Sequence, residues 1–230
     1  MSGRACVALA LAVVAASGLP PLRAWLEADM ARHMLLQFPL LLLAGGLLAS
    51  ALPARLRRCI DACNVHGLSG LFLFLLVSGF WMVPRALDEA LLSVWVELAK
   101  FGSLLGAGAA LQCSWRAAAP IVQAFFLGNW AWMSAAVGLL YQDVTVRLCN
   151  VYLLDQQLVA GRGLVVLALV LPLIWVGTLA RSGYLGNFLS DDAAVAGRDR
   201  PPSCPAEPAR PARASRGFQA PGPTDAQRPS

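Results

Sequence analysis

Five apolar runs, at roughly 31–53, 66–84, 90–112, 118–140 and 163–181, constrain this chain more than any other feature of its sequence. Each approaches or exceeds the ~20 residues that a helix needs to cross the hydrocarbon core of a bilayer. In that medium the backbone must satisfy its own hydrogen bonds, so runs of this length are predicted to be helices. The composition agrees: 58% of the 230 residues are hydrophobic and only 13% charged, against about 25% charged in a soluble domain.

A shorter run, "CVALALAVVAASGLP" from Cys6, follows Arg4 and stops at Pro20 and Pro21. It reads either as a first span or as a secretory signal with a small-residue cleavage site. The expected fold is therefore an all-α, polytopic transmembrane bundle of six spans, or five if the first run is cleaved. Its parts are residues 1–22 (first span or signal), 23–181 (bundle) and 182–230, a Pro/Ala/Arg-rich stretch expected to be a disordered cytoplasmic tail because it has almost nothing large and apolar to bury.

Arginine placement gives an orientation. Arg55, Arg57 and Arg58 lie in one connection, and Arg198, Arg200, Arg210, Arg213, Arg216 and Arg228 lie in the tail. Both are then cytoplasmic, as positive loops of a bacterial inner-membrane protein are. The membrane-proximal arginines alone divide almost evenly, so the triplet and the tail decide. The net charge of +5 is thus a matter of topology and contact with the lipid bilayer. No basic face on a folded domain points to nucleic acid. The six cysteines are scattered and do not form a secreted disulfide framework. The segment 141–162 is too polar to span and too apolar for water, and is expected to lie on the outer surface or dip into the bundle.

Ionisable groups in lipid are costly and normally face the bundle interior. Met30, His33, Met34 and Gln37 follow i, i+3, i+4, i+7 and so share one helix face. Met82 closes the next run. Glu97 and Lys100 are expected about two and three turns into the following one, roughly 10–15 Å deep. Asn129, Trp130 and Met133 belong to the outer half of the fifth, and Asp155, Gln156 and Gln157 precede the last. All map to one level of the membrane. Thioethers and imidazole suit copper(I), although methionine is also a common filler of cores. Glu97 and Lys100 read first as a neutralising i, i+3 pair and second as a proton relay. Cys59, Cys63 and His66, in "CIDACNVH", would fall at i, i+4 and i+7 of a helix, either as three ligands or as an ordinary surface helix. With two histidines in all and no nucleophile motif, acid/base catalysis has little to work with.

Four segments in order resemble the polytopic CtaG family, associated with assembly of the caa-type cytochrome c oxidase. "DMARHMLLQFPLLLLAGG" is similar to its His-Met-x-x-His-Met motif with a following Pro-Leu-Leu run. "FWMVPRALDEAL" is similar to its Trp-His-x-Pro segment, "WVELAKFGSLLGAGAALQCSW" to its Glu-His helix, and "YLLDQQLVAG" to its Asp-Gln-x-x-Gly-Gly stretch. Together they span about residues 25–181. The resemblance places weight on Met30, His33, Met34, Glu97, Asp155 and Gln156. Asp29, Met82 and Leu98 stand where three family histidines would be.

The resemblance implies a non-enzymatic accessory protein for oxidase assembly, expected to hold copper(I) through His33 and Met34. Met30 and Met82 would supplement them, with Asp29 or Asp155 as carboxylate partner, and the expected partners are oxidase subunits or copper chaperones. The alternatives are a metal-free scaffold for a partner subunit and, third, a small transporter using Glu97 and Lys100.

Overall fold

The computed structural model describes residues 3–144, 148, 149 and 151–182, except for the side chains of Arg57, Cys59, Asp61, Ala62, Cys63 and Val65. The tail expected at 182–230 therefore lies outside the described residues, apart from Ser182. Among the described residues all regular structure is helical. The helices are α1 (Gly3–Gly18), α2 (Pro20–Glu27), α3 (Met30–Arg32), α4 (Phe38–Ser50), α5 (Ala54–Cys63), α6 (Leu68–Trp81), α7 (Pro84–Leu92), α8 (Val94–Ala117), α9 (Pro120–Asp143) and α10 (Leu154–Arg181). A π-helical turn, His33–Gln37, joins α3 to α4.

Four of these segments are long and apolar enough to cross a membrane: Met30–Ser50, α8, α9 and α10. Two further crossings are available if the bent pairs α1–α2 (72°) and α6–α7 (76°) each count as one. The bundle is thus that of a multi-pass membrane protein with four to six spans. Both bends fall at prolines, Pro20 and Pro84, which open α2 and α7. Proline suits the first turn of a helix and disfavours helical backbone in the residue before it, so the chain turns there.

Around the bundle, α1 packs on α4, α4 on α8, α8 on α6, α6 on α9 and α9 on α10, while α10 returns to α3 and the π turn. The ring therefore closes on the segment that carries His33. Large apolar side chains such as Leu43, Phe72, Trp95, Ile121 and Leu173 point outward, as lipid-facing residues must.

Bare backbone makes the tightest seams. A Cβ on Gly45 would stand 2.1 Å from the Leu105 carbonyl oxygen, and one on Gly108 2.0 Å from that of Leu42, so α4 and α8 meet without side chains between them. Gly138 and Gly161 do the same for α9 and α10, at 2.6 Å each. Small residues at a seam are how helices approach closely in lipid, where burial of apolar surface gives no driving force. Within the small-residue run 102–110, Gly108 serves this seam, whereas Gly102 and Gly106 have nothing within 4 Å of a Cβ.

Three expectations change here. The run predicted at 90–112 begins at Val94, because residues 84–92 form the separate helix α7, which Ser93 divides from α8. The last run starts at Leu154 instead of 163, and α9 continues to Asp143, so the segment 141–162 mostly extends two spans. Of the described residues between those two helices, Cys149 and Tyr152 are buried. Finally, α5 ends at Cys63, and His66 has left-handed backbone (φ 55°) in a 3-10 turn. The helical i+7 spacing proposed for Cys59, Cys63 and His66 therefore does not hold. The side chains of Cys59 and Cys63 are outside the described residues.

Candidate functional site: a buried charge cluster

The site forms where α2, the π turn and the start of α8 meet. The bend at Pro20 lays α2 beside α8, and Arg23 and Glu27, one turn apart on α2, face it. The Arg23 Nε donates to Glu27 Oε2 at 3.0 Å, and its Nη2 lies 2.7 Å from Glu97 Oε2. The other carboxylate oxygen of Glu27 accepts from Lys100 Nζ at 2.8 Å. Two cations thus meet two carboxylates. Lys100 is wholly buried, Glu97 nearly so, and Arg23 one-third exposed. Glu97 and Lys100, read from the sequence as partners of each other, instead each pair with α2.

His33 and Gln37 come from the next element. Pro39, the second residue of α4, lacks the amide that would bond the Leu35 carbonyl, and loss of one such bond favours a locally widened turn. His33, Met34 and Gln37 are all buried along that π turn. Lys100 Nζ reaches both His33 Nε2 at 3.1 Å and Gln37 Oε1 at 3.3 Å. With Glu27, that gives three acceptors for the three protons of the ammonium. Because an ammonium can only donate, His33 Nε2 must be the acceptor and Nδ1 carries the proton. His33 Nδ1 stands 2.7 Å from Tyr152 Oη, to which it donates, and the Tyr152 hydroxyl donates onward to the Glu27 carbonyl at 3.1 Å. Burial, and then the Glu27 carboxylate, push the Tyr152 phenol above its ordinary range, so it remains a neutral donor. The buried polar atom without a partner among the described residues is Gln37 Nε2.

The other expected ligands lie around this cluster in different roles. Met30, Met34 and Met82 are buried in one apolar core with Trp81, Leu104, Trp130 and Tyr141. The Met82 sulfur faces Ser134 Oγ at 4.0 Å, and its carbonyl accepts from Tyr141 Oη at 2.7 Å. Asp29 caps α3, its carboxylate accepting from the amides of Ala31 and Arg32 at 2.9 and 3.3 Å. Asp155 is exposed in the first turn of α10, where a carboxylate complements the helix dipole. Gln156 accepts from the Leu153 amide at 3.3 Å and reaches the Ala28 carbonyl at 3.5 Å. Asn129 is exposed on α9.

These donors do not fit copper(I) as they stand. The one imidazole lone pair is directed at the Lys100 ammonium, so a metal cation there would displace one positive charge and adjoin it. Asp29 is turned to its own helix, and Asp155 is exposed whereas His33 is buried. Among the described residues, no three His, Cys, Asp or Glu side chains gather to hold a metal. What the arrangement does suit is fixing helices: it ties α2, the π turn, α8 and the segment before α10 through groups whose protons and lone pairs are nearly all engaged.

Spacing along the sequence assigns Arg23 to orientation alone and passes over Glu27 and Tyr152. A signal for the first two is nonetheless present. Arg23 and Glu27 at i, i+4 match Glu97 and Lys100 at i, i+3, opposite in sign and alike in spacing. No protein-family model, curated protein or solved structure matches the chain.

Proposed function

We propose that this chain is a six-span accessory protein of a bacterial inner membrane that assists assembly of a respiratory cytochrome oxidase as a metal-free scaffold. The link to oxidase assembly rests on the CtaG-like segments between residues 25 and 181. The metal-free part rests on one observation: both nitrogens of His33 are already engaged, by Tyr152 and by Lys100. A buried ion-pair cluster of this kind holds helices in one arrangement, and a rigid arrangement is what a partner subunit needs to dock against. A transporter would need a charge free to load and release its substrate, whereas Glu97 and Lys100 are both tied to α2.

Deletion of the gene and measurement of oxidase activity in membranes tests the reading. Activity is expected to fall, and to return with the wild-type chain. It is also expected to return with a Met30→Leu, Met34→Leu, Met82→Leu variant, which removes the three buried thioethers of that core while roughly conserving volume. Failure of that variant, where it folds and inserts normally, overturns the metal-free scaffold in favour of copper handling. Unchanged oxidase activity on deletion overturns the assembly role itself.

A further inference from the structure

A polar side chain in the lipid-facing surface of a span is uneconomical unless something meets it, and Asn129 is such a residue. It is the tenth residue of α9, about 14 Å from the start of that helix and about 21 Å from its end. It therefore sits well inside the span. It is exposed, as are Phe125 one turn before it (64%) and Trp132 one turn after it (79%). Its Nδ2 donates to the Phe125 carbonyl at 2.8 Å, which leaves the amide with a second proton and its own oxygen to satisfy. Trp132 is equally out of place. Tryptophan prefers the membrane boundary, yet this one lies about 18 Å from one end of α9 and about 17 Å from the other. Beside Asn129, Gly128 has nothing within 4 Å of where a Cβ would be, so another backbone can come close.

We propose that this face of α9 is a homodimer interface, with Asn129 of one copy hydrogen-bonded to Asn129 of a second. The occupant follows from symmetry and chemistry. Copies inserted with the same topology and related by a two-fold axis along the membrane normal place each residue at the depth of its counterpart, and a residue beside the axis opposite itself. A carboxylate or ammonium there would repel its own image. A carboxamide, being both donor and acceptor, is complementary to its image, and two such bonds can form across the axis. Gly128 permits the approach, and Phe125 and Trp132 close the seam above and below the amides. Interhelical amide hydrogen bonds add to close packing in holding helices together in lipid. This inference is independent of the oxidase reading.

Single-molecule photobleaching of the full-length labelled chain in liposomes, over a series of protein-to-lipid ratios, measures the dimer fraction. The wild type is expected to dimerise. Asn129→Leu should move the midpoint to about tenfold higher protein density, as loss of two intramembrane hydrogen bonds implies, while Asn129→Gln should keep most of the association. Gly102→Leu, on a different outward face, should leave the midpoint unchanged. A wild type that is monomeric at every density overturns the proposal, which then leaves Asn129 to a different protein. So does a dimer that withstands Asn129→Leu, or one that is lost with Gly102→Leu instead.

Discussion

Lys100 Nζ lies 3.1 Å from His33 Nε2 with both side chains fully buried, an arrangement stable only while the imidazole is neutral and the ammonium is shared with Glu27. Removing either neighbour strands the other, and this makes the cluster testable by substitution.

Lys100→Met leaves Arg23 as the single cation for two carboxylates, Glu27 and Glu97, and both His33 and Gln37 without a donor. Deleting one partner of a buried ion pair typically costs ~3–5 kcal/mol, so the variant is expected to lose most of its folded yield in detergent. Adding Glu27→Gln removes the surplus negative charge, leaving Arg23 with Glu97, and should recover part of that loss. A double variant no more stable than the single one would mean that the two residues are not coupled; fluorescence-detected size exclusion after heating reads the difference.

Tyr152→Phe keeps the ring and deletes the hydroxyl that links His33 Nδ1 to the Glu27 carbonyl. A buried donor left unpaired costs ~1–3 kcal/mol. The midpoint of thermal unfolding should fall accordingly, and no change at all would remove Tyr152 from the cluster.

The glycine seams give a sharper pair. Gly108→Ala puts a methyl group 2.0 Å from the backbone oxygen of Leu42, whereas Gly106→Ala, two residues away, meets nothing within 4 Å. Backbone cannot move aside as a side chain can, so the first should be severely destabilised and the second tolerated, with a gain of helix propensity of up to ~1 kcal/mol. Equal behaviour of the two, by melting or by surface expression, would refute the seam.

Cys149 is buried, with its Sγ 3.7 Å from the Pro84 carbonyl oxygen. Burial, reinforced by Asp88, pushes its thiol from the usual 9.0 up to about 12. The folded chain favours the thiol form, so this contribution to stability is complete below pH 9 and is lost as the pH rises toward 12. Since the thiolate is the reactive species, the Cys149 peptide should stay unmodified by N-ethylmaleimide at about pH 8 in the native protein and react after unfolding in SDS. Native labelling at a free-thiol rate would contradict its placement; mass spectrometry of the digest decides.

Much of the fold is legible from residues in order along one segment. The apolar runs predict helices, because nothing but helical backbone suits about twenty such residues in lipid. The shared face of Met30, His33, Met34 and Gln37 is readable from spacing and survives the π turn, with all four buried. Punctuation is harder. Val83 and Pro84 read as the end of one run, but the helix 84–92 after it and the break at Ser93 merge with the next, which puts Glu97 a full turn too deep. Hardest are pairings across the chain. Glu97 and Lys100 are recognisable as charges needing partners, yet a nearby opposite charge on the same helix satisfies the search, and the true partners lie on a short helix ahead of the first of the five apolar runs. Tyr152 carries no signal of its own, since a single tyrosine in a polar connection acquires its role only when α10 returns to the π turn. Whether a buried histidine among methionines takes a metal or a lysine likewise depends on which residue the neighbouring helix brings, and spacing within one segment is silent on that.

The division of the ion pairs between α2 and α8 also bears on biogenesis. Glu27 and Lys100 are 73 residues apart, so when ribosomal synthesis delivers α8 to the translocon, its two charges lack their α2 counter-ions within their own hydrophobic segment. Lateral release of α8 costs less where α2 is already beside it to supply those counter-ions. Retention of the first helices near the translocon would therefore ease membrane integration of the second half.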